Sequence, residues 1–271
     1  MASTRGLIWR PKNWDLQGDA RQYQIMDTSR HNDEIARNLE HWNSKPSLQK
    51  SYRAFHQLIA QHLAESEEGL VVELGSGIGN IKETIPDCLR TDLFPNPWID
   101  QVENAYQLSF SDESVSNLIM FDVFHHLRYP GTALAEVFRV CAPGGRLIIF
   151  EPCVSLLGRL VYGPLHAEPL ALNENITWQA PAGWSAEDVD YYAAQGNASR
   201  VFLGDEHKEL LKPWRIIHSQ RLSAVSYVAT GGYSMPKLYP DFAYPLMRGI
   251  DYILDYFPWL FATRLLVVLE K

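Results

Sequence analysis

The chain has 271 residues, 46% of them hydrophobic and 21% charged, the balance of a globular protein with a substantial core. Its formal net charge of −8 and pI near 5.6 argue against a general nucleic-acid surface, and no run of Lys or Arg supplies a local one. No window reaches the roughly 18 clean apolar residues of a bilayer span; the nearest, residues 250–269, is broken by Asp251, Asp255, Pro258 and Arg264.

The opening, MASTRGLIWRPKNWDL, lacks the apolar core of a signal peptide, and residues 1–27 show no sustained period. Cys88, Cys141 and Cys153 are an odd, scattered set without metal-ligand spacing, which reads as reduced, buried thiols of a cytoplasmic protein. From Thr28 to His41 the text is polar and helix-compatible. A clearer helix follows from about Leu48 to Ser66, where Leu48, Tyr52, Phe55, Ile59 and Leu63 recur at helical spacing. His31, His41, His56 and His62 fall in this part and read as surface or packed side chains.

The stretch VVELGSGIGN, Val71 to Asn80, reads as a buried strand, a glycine turn and the start of a helix. Glycines accept φ > 0 and carry no Cβ, so the backbone can approach a ligand in the crevice at the strand ends. A dinucleotide site wants G-x-G-x-x-G; Gly75 and Gly77 fit, but the third position is Asn80. E-x-G-x-G-x-G fits throughout, with Glu73 in the strand end, where an acid suits a ligand that carries no phosphate. A short helix from about Asn80 to Thr84 and a brief strand, CLRTDL, then bring Asp92 to a carboxyl end. There it can accept hydrogen bonds from ribose hydroxyls.

Residues 93–101 read as a loop. A strand from about Val115 to Phe121 delivers Asp122, Val123, Phe124, His125 and His126. The next helix has a core stripe of Leu134, Val137, Phe138 and Cys141 and stops at a type II turn over Pro143-Gly144-Gly145. The strand RLIIFEP follows, ending at Glu151. Val154 to Lys212, rich in Gly, Pro and aromatic residues, is long enough to be a lid or substrate-binding insertion. A sixth strand begins near Trp214. A helix with Phe242, Leu246, Ile250, Ile253 and Phe257 on one face comes next, and RLLVVLEK closes the chain as a strand.

Two texts, VENAYQLSFSDESVSNLIMFDVFHHL and AEVFRVCAPGGRLIIFEP, make the region from about Gly69 to Pro152 similar to a known family. It resembles the type 11 family of class I S-adenosylmethionine-dependent methyltransferases, relatives of the enzymes that C-methylate ubiquinone and menaquinone precursors. The resemblance implies an α/β, Rossmann-like methyltransferase fold: a seven-stranded, mostly parallel sheet with a reversed last strand, helices on both faces and a lid-like insertion after strand five. It implies a single domain over residues 1–271, with a helical cap (1–66), a cofactor-binding core (67–152), a lid (153–212) and C-terminal strands and helix (213–271).

The implied cofactor is S-adenosylmethionine. By the resemblance it meets Glu73, Gly75, Ser76, Gly77, Gly79 and Asn80 at the turn, and Asp92 and Leu93 at the ribose. Asn104, Ala105 and Tyr106 fall beside the adenine, and Phe121 and Asp122 near the methyl group. Two residues depart from the family's text: Asn104 where Asp is frequent, and Ser116 where an Asp opens strand four.

The expected activity is methyl transfer to a small-molecule acceptor such as a sugar, a quinone or lipid precursor or another metabolite. The expectation includes no nucleic acid and leaves room for lipid contact. The alternative is a methyltransferase-fold protein that holds an adenosyl ligand or a partner without catalysis. A base is needed only for a hydroxyl, protonated amine or carbon acid. His126 is preferred because imidazole titrates near neutrality, with Glu151 and His166 next. A metal set of His126, Glu151, His166 and Glu168 lacks close ligand spacing, and no metal is expected. The insertion, with helix 242–257, is expected to form the acceptor pocket while leaving the cofactor site untouched.

Overall fold

The computed structural model describes residues 28–65 and 68–271; the expectations for residues 1–27 and for Ser66 lie outside the described residues. Helices α1 (Thr28–Ser44) and α2 (Pro46–Ala60) precede the first strand. The strands are β1 (Leu70–Leu74), β2 (Leu89–Asp92), β3 (Gln101–Val102), β4 (Val115–Phe121), β5 (Cys141–Pro152), β6 (Arg215–Leu222) and β7 (Arg264–Glu270). They form one seven-stranded sheet in the order β3-β2-β1-β4-β5-β7-β6. β7 runs antiparallel to both neighbours, and the pairs among β1 to β5 are parallel. This is the expected mostly parallel sheet with its last strand reversed.

Every residue of β4 is buried, as a parallel strand covered on both faces must be. The period of two sends its side chains into separate cores. Leu118 and Met120 join Leu147, Ile149, Leu265 and Val267, against which α3 (Pro130–Val140) packs Leu134 and Val137. Ile119 and Phe121 join Ile148, Phe150, Leu266 and Val268, against which α2 packs Leu48, Tyr52, Phe55 and Ile59. The apolar stripe read from the sequence of α2 is thus the buried one.

Several boundaries differ from expectation. α2 ends at Ala60 because the next turn is captured by the sheet: Asn117 accepts the Ala64 N–H at 2.7 Å, and Arg146 donates to the carbonyls of His62 and Leu63. β3 lies at the end of the stretch read as loop, at only two residues too short for a periodic signal. Cys141 does not belong to the α3 stripe. It turns extended at φ −66°, ψ 133° and begins β5. Residues 142–145 form a bulge inside β5, the register moving from Val115 opposite Cys141 to Asn117 opposite Arg146, with Gly144 at φ +77°.

The insertion carries α4 (Leu156–Tyr162) and α5 (Asn197–Leu203). After β6 come α6 (Val225–Val228), α7 (Tyr244–Leu254) and α8 (Pro258–Phe261). α7 faces the opposite way from expectation: Phe242 is 86% exposed and Leu246 70% exposed. It is docked instead through its buried Asp251, which accepts the Ser226 N–H at 3.0 Å and is paired with Arg248.

Candidate active site

The carboxyl ends of β1, β2 and β4 open into two cavities that share a wall. At the end of β1 the chain turns through Gly75, Gly77 and Gly79 at φ +69°, +51° and +68°. A Cβ at Gly75 would lie 2.4 Å from Val123 Cγ2, so only glycine lets β1 pass the end of β4 there. The Cβ position of Gly77 meets nothing within 4 Å and faces the open cavities. Gly79 departs from the sequence expectation. It lines neither cavity, and a Cβ there would lie 2.4 Å from the Trp98 carbonyl, so it serves the turn. The Ser76 N–H donates to the Thr91 carbonyl at 2.8 Å and ties the turn to β2.

The smaller cavity, about 270 Å³, contains Asp92, Leu93, Asn104, Ala105 and Tyr106 in its wall. Asp92 accepts the Gly77 N–H at 3.1 Å and the Leu93 N–H at 2.7 Å, which aims its carboxylate across the turn. His31 of α1 reaches the same carboxylate, Nε2 to Oδ1 at 3.2 Å, and its ring lies against Phe94 at 5.2 Å. Burial alone would lower the His31 pKa, but the hydrogen bond and charge of Asp92 outweigh it and raise the value. Asn104 is less available than the sequence implies. Its Oδ1 accepts the Tyr106 N–H at 3.0 Å, and its Nδ2 donates to the Ala186 carbonyl of the insertion at 2.8 Å.

The larger cavity, about 680 Å³, is floored by Glu73, Ser76, Asn80, Phe121 and Asp122. Glu73 is buried, and its Oε2 has no partner among the described residues; the same holds for Asn80 Nδ2. Burial pushes the Glu73 carboxyl up to about 7. Arg264, missed by sequence reasoning, is 2% exposed, paired with Asp122 and surrounded by the rings of Phe55, Phe121, Phe150 and Tyr227. A cation opening a final strand that is then apolar as far as Glu270 was the available signal. Tyr52, Tyr162, Tyr227 and Tyr233 complete that side of the cavity.

His126, Glu168, Asp122 and Tyr191 belong to both walls, so the cavities meet there. Behind them Glu151 is fully buried and lines neither cavity. Its Oε1 accepts the Phe124 N–H at 2.6 Å, and its Oε2 lies 2.7 Å from His125 Nδ1. With both oxygens engaged below the cavity, Glu151 is built to position His125 rather than to meet a substrate. His125 Nε2 lies 3.4 Å from Glu168 Oε2. Burial alone would lower the His125 pKa; the two carboxylates override it and raise the value to about 10.

His126 Nδ1 lies 2.8 Å from the Tyr192 carbonyl, an oxygen that can only accept, so Nδ1 carries the ring proton and Nε2 the lone pair. Nε2 stands 3.8 Å from Glu168 Oε1. Burial, together with the charge of His125, holds the His126 pKa below its ordinary 6.5. His166 also lines the larger cavity, but its Nδ1 accepts the Glu168 backbone N–H at 3.2 Å, which occupies that lone pair. Glu168 accepts from Tyr191 Oη at 2.6 Å and from Gln195 Nε2, and its neighbouring imidazoles hold its pKa well below the usual carboxylate range against the effect of burial.

Residues 73–149 match a family model described as a methyltransferase domain. No curated protein matches the chain. Among solved structures, it is similar to a S-adenosylmethionine-dependent methyltransferase of Thermotoga maritima, described as a possible histamine N-methyltransferase. Identity there is 13% and the TM-score 0.48, covering 88% of this chain and 99% of that one. A S-adenosylmethionine-dependent methyltransferase of Archaeoglobus fulgidus is 11% identical at a TM-score of 0.49, over 82% and 94% of the two chains. The geranyl diphosphate C-methyltransferase of Streptomyces coelicolor is 12% identical at a TM-score of 0.47, over 80% and 77%. The family match spans the glycine turn, the acid at the end of β2 and the histidine pair after β4, so residues 73–149 carry the pattern of a methyltransferase domain.

Proposed function

We propose that the chain methylates a small molecule held in the larger cavity, and that His126 accepts the proton this acceptor loses. The fit to S-adenosylmethionine is supported by the unpartnered Glu73 Oε2 at the cavity floor, an anion suited to the cofactor's cationic amino-acid end, and by the open face of Gly77. Asp92 would hold the ribose, Asn80 the amino-acid end, and the Asn104–Tyr106 turn the adenine side. Bound there, the cofactor supplies an already activated methyl group, so the protein's task is largely to position the acceptor; well-oriented reactions gain about 7–11 kcal/mol in this way.

The observation that carries the proton-acceptor role is the hydrogen bond from His126 Nδ1 to the Tyr192 carbonyl. It fixes the tautomer and leaves Nε2 unprotonated where the cavities meet, while burial and the charge of His125 lower the pKa and keep the neutral form populated at neutral pH. A second support is the larger cavity's mixed wall. Tyrosine rings cover an apolar or sugar-like body while Arg264, Asp122 and Glu168 supply polar contacts. We also propose a division of labour: residues 68–152 hold the cofactor, 28–65 and 153–212 cover it, and 213–271 close the acceptor side. No helix among the described residues is long and apolar enough to cross a membrane.

The test is turnover with a methyl-labelled cofactor against small-molecule extracts, followed by the variant His126→Asn on the acceptor so found. Asn retains an N–H for the Tyr192 carbonyl and removes the Nε2 lone pair. The expected loss in kcat/KM is about 10²–10⁴-fold, with cofactor affinity retained. Unchanged turnover removes His126 from the proton step.

A further inference from the structure

Two adjacent histidines and one carboxylate converge where the cavities meet, and each histidine is oriented from behind. His125 Nδ1 is held by Glu151 at 2.7 Å and His126 Nδ1 by the Tyr192 carbonyl at 2.8 Å. Both rings therefore direct Nε2 at the same group: His125 Nε2 is 3.4 Å from Glu168 Oε2, and His126 Nε2 is 3.8 Å from Glu168 Oε1. One ligand atom from each of the three residues lies within 4.8 Å of the others. Glu168 is steadied in turn by Tyr191 and Gln195.

We propose that His125, His126 and Glu168 form a binding site for a divalent transition-metal ion of the zinc, iron(II) or manganese(II) class, open toward the acceptor cavity. Metal-binding histidines typically donate the far ring N–H to a carboxylate or a backbone carbonyl, which fixes the tautomer and raises ligand basicity. Both forms of that support are present here, one on each ring. Two imidazoles and a carboxylate with open positions are a donor set for zinc or iron(II), whereas magnesium prefers oxygen donors alone. His166 is excluded from the set because its Nδ1 is taken by the Glu168 backbone N–H.

An ion would take His125 through the Nε2 lone pair while its Nδ1 stays on Glu151. The ion would also take the lone pair that His126 otherwise offers to an acceptor proton. An acceptor hydroxyl on the ion's open position would be acidified by coordination, its proton passing to solvent water. Only this last part rests on the larger cavity being the acceptor site; metal binding does not.

The experiment is calorimetry of the purified, chelator-stripped chain with Zn²⁺, Mn²⁺ and Mg²⁺, beside His125→Asn, His126→Asn, Glu168→Gln and Glu151→Gln, each checked by thermal melting. Expected are one equivalent of Zn²⁺, negligible Mg²⁺, no binding in the three ligand variants, and binding weakened about 10–100-fold in Glu151→Gln. Absent Zn²⁺ binding, or Zn²⁺ affinity unchanged in folded ligand variants, overturns the site. Where a variant fails to fold, Co²⁺ added to the unaltered chain gives a second readout. Intense visible bands of a low-coordinate ion, displaced by Zn²⁺, support the site, and the spectrum of the free aqueous ion overturns it. Chelation that leaves methylation unchanged while Zn²⁺ binding stands would separate the ion from the acceptor reading without touching the binding result.

Discussion

His31 and Asp92 stand 3.2 Å apart across the smaller cavity, one on α1 and the other at the end of β2. The acid that the sequence assigns to the ribose is therefore held from three sides, by the backbone N–H of Leu93 beside it, by that of Gly77 in the glycine turn, and by a side chain from α1. The backbone contacts remain in any liganded form that keeps the turn, whereas the His31 contact is the one a ribose hydroxyl could share or replace.

Asp92→Ala should accordingly weaken binding of S-adenosylhomocysteine by roughly 2–4 kcal/mol, since hydrogen bonds to a charged acceptor contribute about 1.5–3 kcal/mol each. His31→Ala should shift the same affinity by less than about tenfold (roughly 1.4 kcal/mol). Calorimetry on both variants checks the order. A larger loss in His31→Ala than in Asp92→Ala would make the histidine, not the acid, the principal contact.

Glu73 predicts a pH dependence of cofactor binding. Its folded pKa of about 7 lies above the ordinary carboxyl value of 4.5 because the group is buried. A cationic ligand beside it favours the ionised form, so binding lowers this pKa and releases a proton. Affinity for S-adenosylmethionine should be level above pH 7 and fall by up to about tenfold per unit below it. Glu73→Gln should remove that slope. A slope that survives the substitution would assign it to another group.

The parts of this site that the sequence made legible are those where backbone geometry restricts residue choice. Gly75 must be glycine because Val123 crowds its Cβ position, and Asp92 follows one strand later where the crevice opens. The parts that stayed hidden depend on which distant segments meet. His126 was readable as a base, but not that residue 192 would fix its tautomer or that Glu168 would face both histidines. Glu151 was readable as an acid at a strand end, yet the helical turn at residues 124–126 folds over it and leaves it beneath the cavity. The apolar stripe of α7 was legible as a stripe; its direction was not, because buried Asp251 turns the other side inward.

Stability should peak near neutrality, for opposite reasons on the two sides. His56 is 2% exposed, and burial lowers its pKa from 6.5 to about 4. Below pH 6.5 the unfolded chain takes up a proton that the folded one refuses, so stability falls between pH 6.5 and about 4, by about 3 kcal/mol if this group acts alone. His125 has the reverse sign. Its pKa is raised to about 10, so the stabilisation is full below 6.5 and is lost as pH rises toward 10. Urea unfolding of His56→Gln should flatten the acid side only, and an acid side identical to that of the unaltered chain would place the loss elsewhere.

The insertion was expected to serve the acceptor alone, so that its removal would spare cofactor binding. The fold argues otherwise. Val189, Asp190, Tyr191 and Tyr192 wall the smaller cavity, and the Ala186 carbonyl accepts from Asn104. The segment is anchored on α3, where the Gly131 N–H donates to the Trp178 carbonyl at 2.8 Å and a Cβ at Gly131 would lie 2.2 Å from Trp178 Nε1. Replacing residues 163–197 by a short Gly/Ser bridge should therefore weaken S-adenosylhomocysteine binding by well over tenfold (more than about 1.4 kcal/mol) while the sheet still melts cooperatively. Gly131→Ala is the milder form of the same test. The indole must move to admit the methyl group, at a cost of about 1–3 kcal/mol of overpacking. Amide exchange should then rise across residues 178–192 before it rises in β4. Retained cofactor affinity in the deletion would return the segment to the acceptor alone.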